Sequence, residues 1–423
     1  MIRKIRFNLW TIIMSAYLIN QFYITNFISI QRLVLLSSLA LYVLINLSQL
    51  KHMLNIGSNK KSKIYIIVLL FVIWFIYVSI IPIISGSGDY SYISYCITFY
   101  SWTLYLLAII VRIKKKCPYE DTFTSFMLLY IKCMELYVIS TIIILIMPFL
   151  REILFKTIYN NEKQFLLINR DKYYTRIGWA GYSGYSTSIK CTVAISFVIY
   201  FIIKSISQNR KIRKGEYFRL ALLLIGNMFY ARTGMLVSII CIIITLFYIA
   251  FILGKFKFFL KYFIMVLIMG GIGIHVLRTY SENSEAINWM LEIFLNYVKG
   301  NGIESTSTKI IFNSMLFRIR PTTLLLGDGF YTSPTGGYYM GTDLGFMRLV
   351  LYFGIPGMLL IYFVYFFTLK SIKKVVMQRT IGIIQILLFV IFLGFEFKGE
   401  SIVILVPLAF VLLVASCKTE QLI

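Results

Sequence analysis

Residues 64–84 read IYIIVLLFVIWFIYVSIIPII, without a single charged side chain. A helix rises about 1.5 Å per residue, so this run reaches across the roughly 30 Å hydrocarbon core of a bilayer. Lys60, Lys61 and Lys63 stand before it and the polar stretch SGSGDYSY follows it. A buried core helix of a water-soluble domain is rarely this long or this uniformly apolar. Working outward, comparable runs fall at 7–24, 31–50, 92–111, 122–149, 183–203, 217–231, 233–254, 262–277, 345–369, 380–395 and 401–416. Together they predict an all-α polytopic membrane protein with about twelve transmembrane helices, in one integral membrane domain spanning 1–423.

Composition agrees. Hydrophobic residues make up 59% of the 423-residue chain and charged residues 14%, against about 25% charged in a typical soluble domain. The net charge is +25. In a soluble protein that excess would point to nucleic acid. Here the cations cluster at the ends of apolar runs, which points to anchoring and orientation and not to a nucleic-acid partner. The cysteines are scattered without a CxxC pair, so neither a disulfide framework nor a zinc site is expected. The first apolar run lacks a small-residue cleavage site, so no cleavable signal peptide is expected.

The basic residues also set the sidedness. With the N-terminus inside, the inside segments carry Arg3, Lys4 and Arg6, then Lys51–Lys63, Arg112–Lys116, Lys204–Arg219, Lys255–Lys261, Lys370–Arg379 and Lys418. Among the acids only Glu120, Asp121, Glu216 and Glu420 fall inside. Both termini are therefore expected in the cytoplasm. Two outside connections are long, 150–182 and 278–344. Long connections in a compact protein are usually functional, and short helical stretches are expected in the second, over 283–299 and 307–318.

The first outside connection contains NRDKYYTRIGWAGYSGYSTS at 169–188, with Arg170, Lys172, Arg176, Trp179, Tyr182 and Tyr185. The second supplies Arg278, Lys299, Lys309, Arg318 and Arg320, with Tyr331, Tyr338 and Tyr339 among its aromatics. Arginine presents a fixed fork of donors to phosphate oxygens. Tyrosine and tryptophan offer a flat apolar face with a polar tip, which suits a sugar ring. The set describes a site for a phosphorylated glycan. Read one residue at a time, it also describes an interfacial aromatic belt with solvated loop charges.

Charges inside or at the edge of apolar runs are costly and mark functional candidates. They are Lys132, Glu135, Lys190, Arg232, Arg348, Glu396, Lys398 and Glu400. Lys132 and Glu135, three apart on one helix, are expected to pair, and Arg348 has the alternative of snorkelling to the interface. Two histidines, His52 and His275, are too few for a histidine metal site, and no GxxxxGK[ST] loop supports nucleotide hydrolysis. No metal and no cofactor is expected.

Three stretches in this order carry a resemblance: ARTG at 231–234, LLLGDGF at 324–330 and TDLGFMRLVLYFGIPG at 342–357. They resemble the bacterial O-antigen and capsule polymerase family (Wzy-type). The resemblance covers about 170–400; the first five helices match only in count and hydropathy. An Arg-x10-Gly spacing described in that family's two outer loops is matched by Arg170 to Gly181 and by Arg318 to Gly329. The resemblance implies a GT-C-like membrane glycosyltransferase in the bacterial plasma (inner) membrane. Such an enzyme transfers a growing glycan from undecaprenyl pyrophosphate onto a lipid-linked repeat unit at the outer face. Its partners would be these lipid-linked oligosaccharides, the membrane lipid, a flippase and a chain-length regulator. A pyrophosphate leaving group needs cationic stabilisation and the acceptor hydroxyl a carboxylate base. On that basis Arg232, Arg176, Arg170 and Arg318 are assigned to the pyrophosphate, with Arg348 and Lys190 secondary and Trp179 and Tyr182 at the sugar. Asp343, Asp328 and Glu400 are the candidate bases, in that order. Two alternatives stand beside it. An O-antigen ligase would carry a histidine in the large outer loop, and none lies between 281 and 344. A lipid-linked oligosaccharide flippase or other transporter would show symmetric halves and short loops.

Overall fold

A computed structural model describes residues 7–24, 28–48, 58–116, 121–158, 176–264, 306–333, 336–375 and 381–417, with Gly271, Glu292, Asn296 and Gly300. The described residues are helical almost throughout. In order come α1 (Leu9–Ile19), α2 (Ile28–Ile45), α3 (Ser58–Ile84), α4 (Ser91–Lys116), α5 (Thr122–Ile146) and α6 (Pro148–Thr157). A two-stranded ribbon follows, β1 (Ile177–Gly178) and β2 (Gly181–Tyr182). Then come α7 (Tyr185–Ser207), α8 (Lys214–Tyr230), α9 (Arg232–Phe247), α10 (Thr306–Ile310), α11 (Pro321–Leu326), α12 (Gly345–Val375), α13 (Ile381–Glu396) and α14 (Ile402–Ser416).

Among the described residues, six helical segments are long and apolar enough to cross a membrane: Ile64–Ile84, Ser91–Lys116, Thr122–Ile146, Tyr185–Ser207, Arg232–Ile252 and Gly345–Ile372. Four more are apolar but shorter, namely Leu9–Ile19, Ile30–Ile45, Gly382–Glu396 and Ile402–Ser416. The expected run at 262–277 and the helix at 283–299 lie largely outside the described residues. The expected helix at 307–318 is shorter, ending its α-helical turns at Ile310 and closing with a wider turn through Met315.

Two helices show what surrounds the bundle. Every residue of α14 is buried, on all faces, so it runs through the centre against α4 and α12. Helix α3 is equally apolar, yet Ile66, Leu69, Val72, Ile73, Ile76, Ile80 and Ile83 are exposed. A chain apolar on its inside and its outside alike is built for lipid. Between apolar helices in lipid, packing and interhelical hydrogen bonds replace the hydrophobic drive. The buried knot on Asn227 of α8 is one such weld. Its carboxamide accepts from Ser188 of α7 at 2.6 Å and donates to Thr192 of α7 at 2.8 Å and Ser238 of α9 at 2.9 Å.

Helix α12 breaks in two at Gly354, whose φ of 70° and ψ of 178° are closed to other residues. The reason lies across the interface. A side chain on Gly354 would meet the Leu325 carbonyl oxygen at 2.5 Å, and one on Gly327 would meet the Gly354 nitrogen at 2.8 Å. The Asp328 N–H donates to the Leu351 carbonyl at 2.6 Å, and Tyr77 of α3 donates to the Phe353 carbonyl at 3.0 Å. The stretches LLLGDGF and YFGIPG are therefore the two sides of one backbone contact.

The pairing expected between Lys132 and Glu135 gives way to another. Glu135 takes the Arg219 guanidinium at 3.0 Å, and Lys132 lies over the Phe7 ring at 5.5 Å. Arg219 also binds Glu216 at 3.0 Å. Its fork serves two carboxylates, which a lysine one turn away does not match.

Candidate functional site

The end of the bundle where α1, α3, α5, α8 and α13 stop and α4, α7, α9, α12 and α14 begin is called here the loop end. Five separate stretches meet there.

The ribbon of β1 and β2 is pinned to the bundle from several sides. Arg176, in the left-handed region at φ 67°, donates its N–H to the Phe229 carbonyl of α8 at 2.8 Å, and its own carbonyl accepts from Ser183 at 2.6 Å. Trp179 in the turn donates its indole N–H to the Asn20 carbonyl at 3.0 Å and packs edge-on against Tyr137 at 5.0 Å. The Arg176 guanidinium is left beside the Tyr182 hydroxyl at 3.2 Å.

The α8–α9 junction presents Arg232. Ala231 is extended, at φ −158° and ψ 138°, and the chain turns back at once into α9. Gly234 permits this, because its backbone lies against Ser188 and the Asn227 amide, where any side chain would collide. Arg232 is ion-paired with Glu292 of the second long loop.

The start of α12 is pressed onto the α13–α14 hairpin. A side chain at Gly345 would strike the Gly399 carbonyl, and would meet a Glu396 carboxylate oxygen at 2.6 Å. The Tyr185 hydroxyl, at the start of α7, donates to the Gly399 carbonyl at 2.8 Å. Glu396 is buried and accepts from the Ser401 N–H at 2.9 Å, the Ser401 hydroxyl at 2.6 Å and Tyr362 at 3.1 Å. This closeness brings Lys398 of the hairpin toward Asp343, Arg232 and Arg176. Burial pushes the Lys398 ammonium below its ordinary value; Asp343 opposes that shift, while Arg232 and Arg176 add to it. Among the described residues Asp343, half-buried, accepts no hydrogen bond, so its carboxylate is not committed to the fold.

Beside this group lies Arg348, one turn into α12. Its guanidinium sits 3.9 Å from the Tyr331 ring centre, 4.0 Å from Tyr338 and 5.7 Å from Tyr95. Glu400 accepts from Tyr92 at 2.5 Å and from Tyr331 at 2.7 Å. The loop carrying Tyr331 is held by Asp89, whose carboxylate accepts from the N–H groups of Tyr331 at 2.7 Å, Thr332 at 3.0 Å and Ser91 at 2.8 Å.

The structure thus gathers Arg176, Tyr182, Arg232, Asp343, Arg348 and Glu400 from four of the five stretches. It places other expected site residues elsewhere. Lys190 donates to the Ile19 carbonyl at the end of α1 at 2.7 Å and lies over Trp102 at 4.8 Å, so it caps a helix. Trp179 pins the ribbon. Arg318 is exposed. Asp328 accepts from Thr323 at 2.6 Å and Tyr339 at 3.2 Å, lining a separate cavity of about 340 Å³ with Arg320, Phe330 and Ile84. Its carboxylate holds the turn after α11. Arg170 and His275 lie outside the described residues. Lys398 belongs with the cluster although only its place at a helix end spoke for it. Asp89 and Tyr92 had one signal, the polar SGSGDYSY stretch between two apolar runs, and Tyr95, inside the run that follows, had none.

Among the described residues no group of histidine, cysteine and carboxylate side chains could hold a metal ion, and Cys96, Cys133, Cys191 and Cys241 are free and buried. Compared with family models, curated proteins and solved structures, the chain matches none.

Proposed function

We propose that the protein is a polysaccharide polymerase of the membrane glycosyltransferase type, with about twelve spans and both termini in the cytoplasm of a bacterium. It moves a growing glycan from undecaprenyl pyrophosphate onto a lipid-linked repeat unit at the outer face of the plasma membrane. The observation that carries this reading is that Asp343, Arg232 and Arg176 all lie within electrostatic reach of Lys398 at one end of an apolar bundle. Three cations from three distant stretches suit the charge of a departing pyrophosphate, which they stabilise without a metal. A half-buried carboxylate free of hydrogen bonds within that group suits a base for the acceptor hydroxyl. In this reading Asp343 deprotonates the hydroxyl as it attacks the sugar carbon. The carbon–oxygen bond to the pyrophosphate breaks, and its electrons pass to an oxygen that Arg232, Arg176 and Lys398 face. Asp328 is set aside as base because two hydroxyl donors hold it in a turn.

The test is the product that builds up in a strain lacking the protein. Loss of a polymerase leaves single repeats on lipid carrier or capped onto the acceptor. Long lipid-linked polymer would make the protein a ligase, and single repeats reachable only from the cytoplasm a flippase. Complementation with Arg232→Ala should cost on the order of a hundredfold in polymer, or about 3 kcal/mol in the transition state. Arg232→Lys should restore little, since a point charge does not reproduce the two-pronged contact. Full polymer from a normally expressed Arg232→Ala protein would overturn the role.

A further inference from the structure

Arg232 at the loop end is ion-paired with Glu292, whereas Arg348 makes no ion pair among the described residues. It is 6% exposed, and its Nε and Nη2 are buried without a hydrogen-bond partner among the described residues. The tyrosine rings at 3.9 and 4.0 Å bear on the guanidinium by cation–π contact, and such contacts leave N–H hydrogens unsatisfied. The carboxylate that acts on it does not meet that need. Glu400 is close enough to act on Arg348 electrostatically, but it accepts from Tyr92 and Tyr331 and makes no ion pair with Arg348. Buried polar groups in native proteins are nearly always bonded, and one that is not calls for an explanation. An arginine held this way, charged and with donors unspent, is a receptor for a planar or tetrahedral oxyanion.

Its position says where that oxyanion sits. Tyr338 lies against Arg348 and also within electrostatic reach of Asp343 and Tyr182, so Arg348 adjoins the part of the site that holds those two residues. The Arg176–Arg232–Lys398 group already provides for the pyrophosphate. An anion at Arg348 is then a second one, next to the reacting sugar and among tyrosine side chains. We infer that the glycan taken by this site carries an acidic sugar near the bond being made, whose carboxylate or phosphate ester binds the donor edge of Arg348. The inference rests on the glycan reading of the site and names its substrate class.

The experiment uses the full-length protein in lipid nanodiscs and ligand-detected saturation-transfer NMR. The probes are glucuronate, glucose 6-phosphate and glucose, with inorganic pyrophosphate as a separate probe of the Arg232 group. At least one anionic sugar should bind at least tenfold more tightly than glucose, and whether glucuronate or glucose 6-phosphate does so identifies the oxyanion. Arg348→Gln should remove that preference while the variant still elutes as a monodisperse peak on size exclusion, which shows that it is folded. Arg348→Lys, tested alongside, should recover a small part of the preference. Equal binding of glucose and both anionic sugars by the wild type, or an unchanged preference in Arg348→Gln, overturns the acidic-sugar inference. Loss of pyrophosphate binding in the wild type would instead strike the glycan reading itself, so the two failures are distinguishable.

Discussion

Two regions of the loop end carry short glycine- and charge-bearing motifs, and they use them for opposite purposes. Where Gly327 meets Gly354, the motif is a matter of backbone: two left-handed glycines let α11 and the broken α12 touch with no side chain between them. At the α8–α9 junction, Gly234 serves to turn the chain so that Arg232 is delivered to a charged cluster. In sequence the two look alike, a few residues around a glycine at the end of an apolar run. The difference teaches that a motif's chemistry is decided by what its charged residue faces. Asp328 faces hydroxyls of its own turn, whereas Arg232 and Asp343 face residues from other stretches.

The strongest way to break this comparison is to destroy the backbone contact. Gly354→Ala puts a side chain into a φ of 70° with a carbonyl oxygen at 2.5 Å. Combined strain and overlap of this kind cost more than about 4 kcal/mol. Little folded protein should be recovered, as read by size-exclusion of a fluorescent fusion in mild detergent. A monodisperse peak with the wild-type Tm would show that the contact is not structural.

Asp343→Asn addresses the charged side alone. In the proposed reading Asp343 is the base, whose removal costs about a hundredfold to ten-thousandfold in rate, and the Tm should stay within about 1 °C because Asp343 accepts no hydrogen bond among the described residues. Polymer formation in a complemented strain, set against Asp328→Asn, reads the contrast. Asp328→Asn should lower the Tm and keep most of the polymer. The reverse pattern would exchange the roles of the two regions.

A smaller effect joins them. Asp89 holds the loop of Tyr331, between the glycine contact and the Arg348 site. Burial alone would raise its carboxyl, but N–H groups of Thr332, Tyr331 and Ser91 and the Ser91 hydroxyl outweigh burial and hold it below the ordinary value. Its folded pKa is therefore depressed. The stability it adds is present above the unfolded value of about 3.9 and is lost as the pH falls through the lower folded value. Asp89→Asn should cost about 1–2 kcal/mol at neutral pH, and the difference in Tm from wild type should shrink below about pH 4. A constant difference from pH 3 to 7 would show that the charge of Asp89 is not what holds the loop.

Much of the architecture was legible in the amino-acid sequence. Apolar runs near twenty residues, bounded by lysine and arginine, give helices at 64–84, 91–116, 122–146, 185–207 and 232–252 that match their runs closely. Hydropathy is a local property, and in lipid the backbone must satisfy itself within the segment. The residue types for a phosphorylated glycan were legible too, because an arginine's fork and a tyrosine's face are carried by the residue itself. Their grouping was not. Lys190 and Arg232 look equally eligible as cations at apolar edges, yet one caps α1 through Ile19 while the other meets Glu292. Trp179 and Tyr182 sit three apart in one ribbon, and only Tyr182 lies beside Arg176. Glu135 sits three residues from Lys132 and pairs instead with Arg219, 84 positions along the chain. Which charge meets which is set by contacts between helices distant in sequence, where geometry and burial decide the partner. For this protein the sequence determined that the chain enters a membrane and which charged and aromatic side chains it brings there. Only the tertiary structure decided that Arg176, Arg232, Lys398 and Asp343 share one site while Asp328, Lys190 and Trp179 support the bundle.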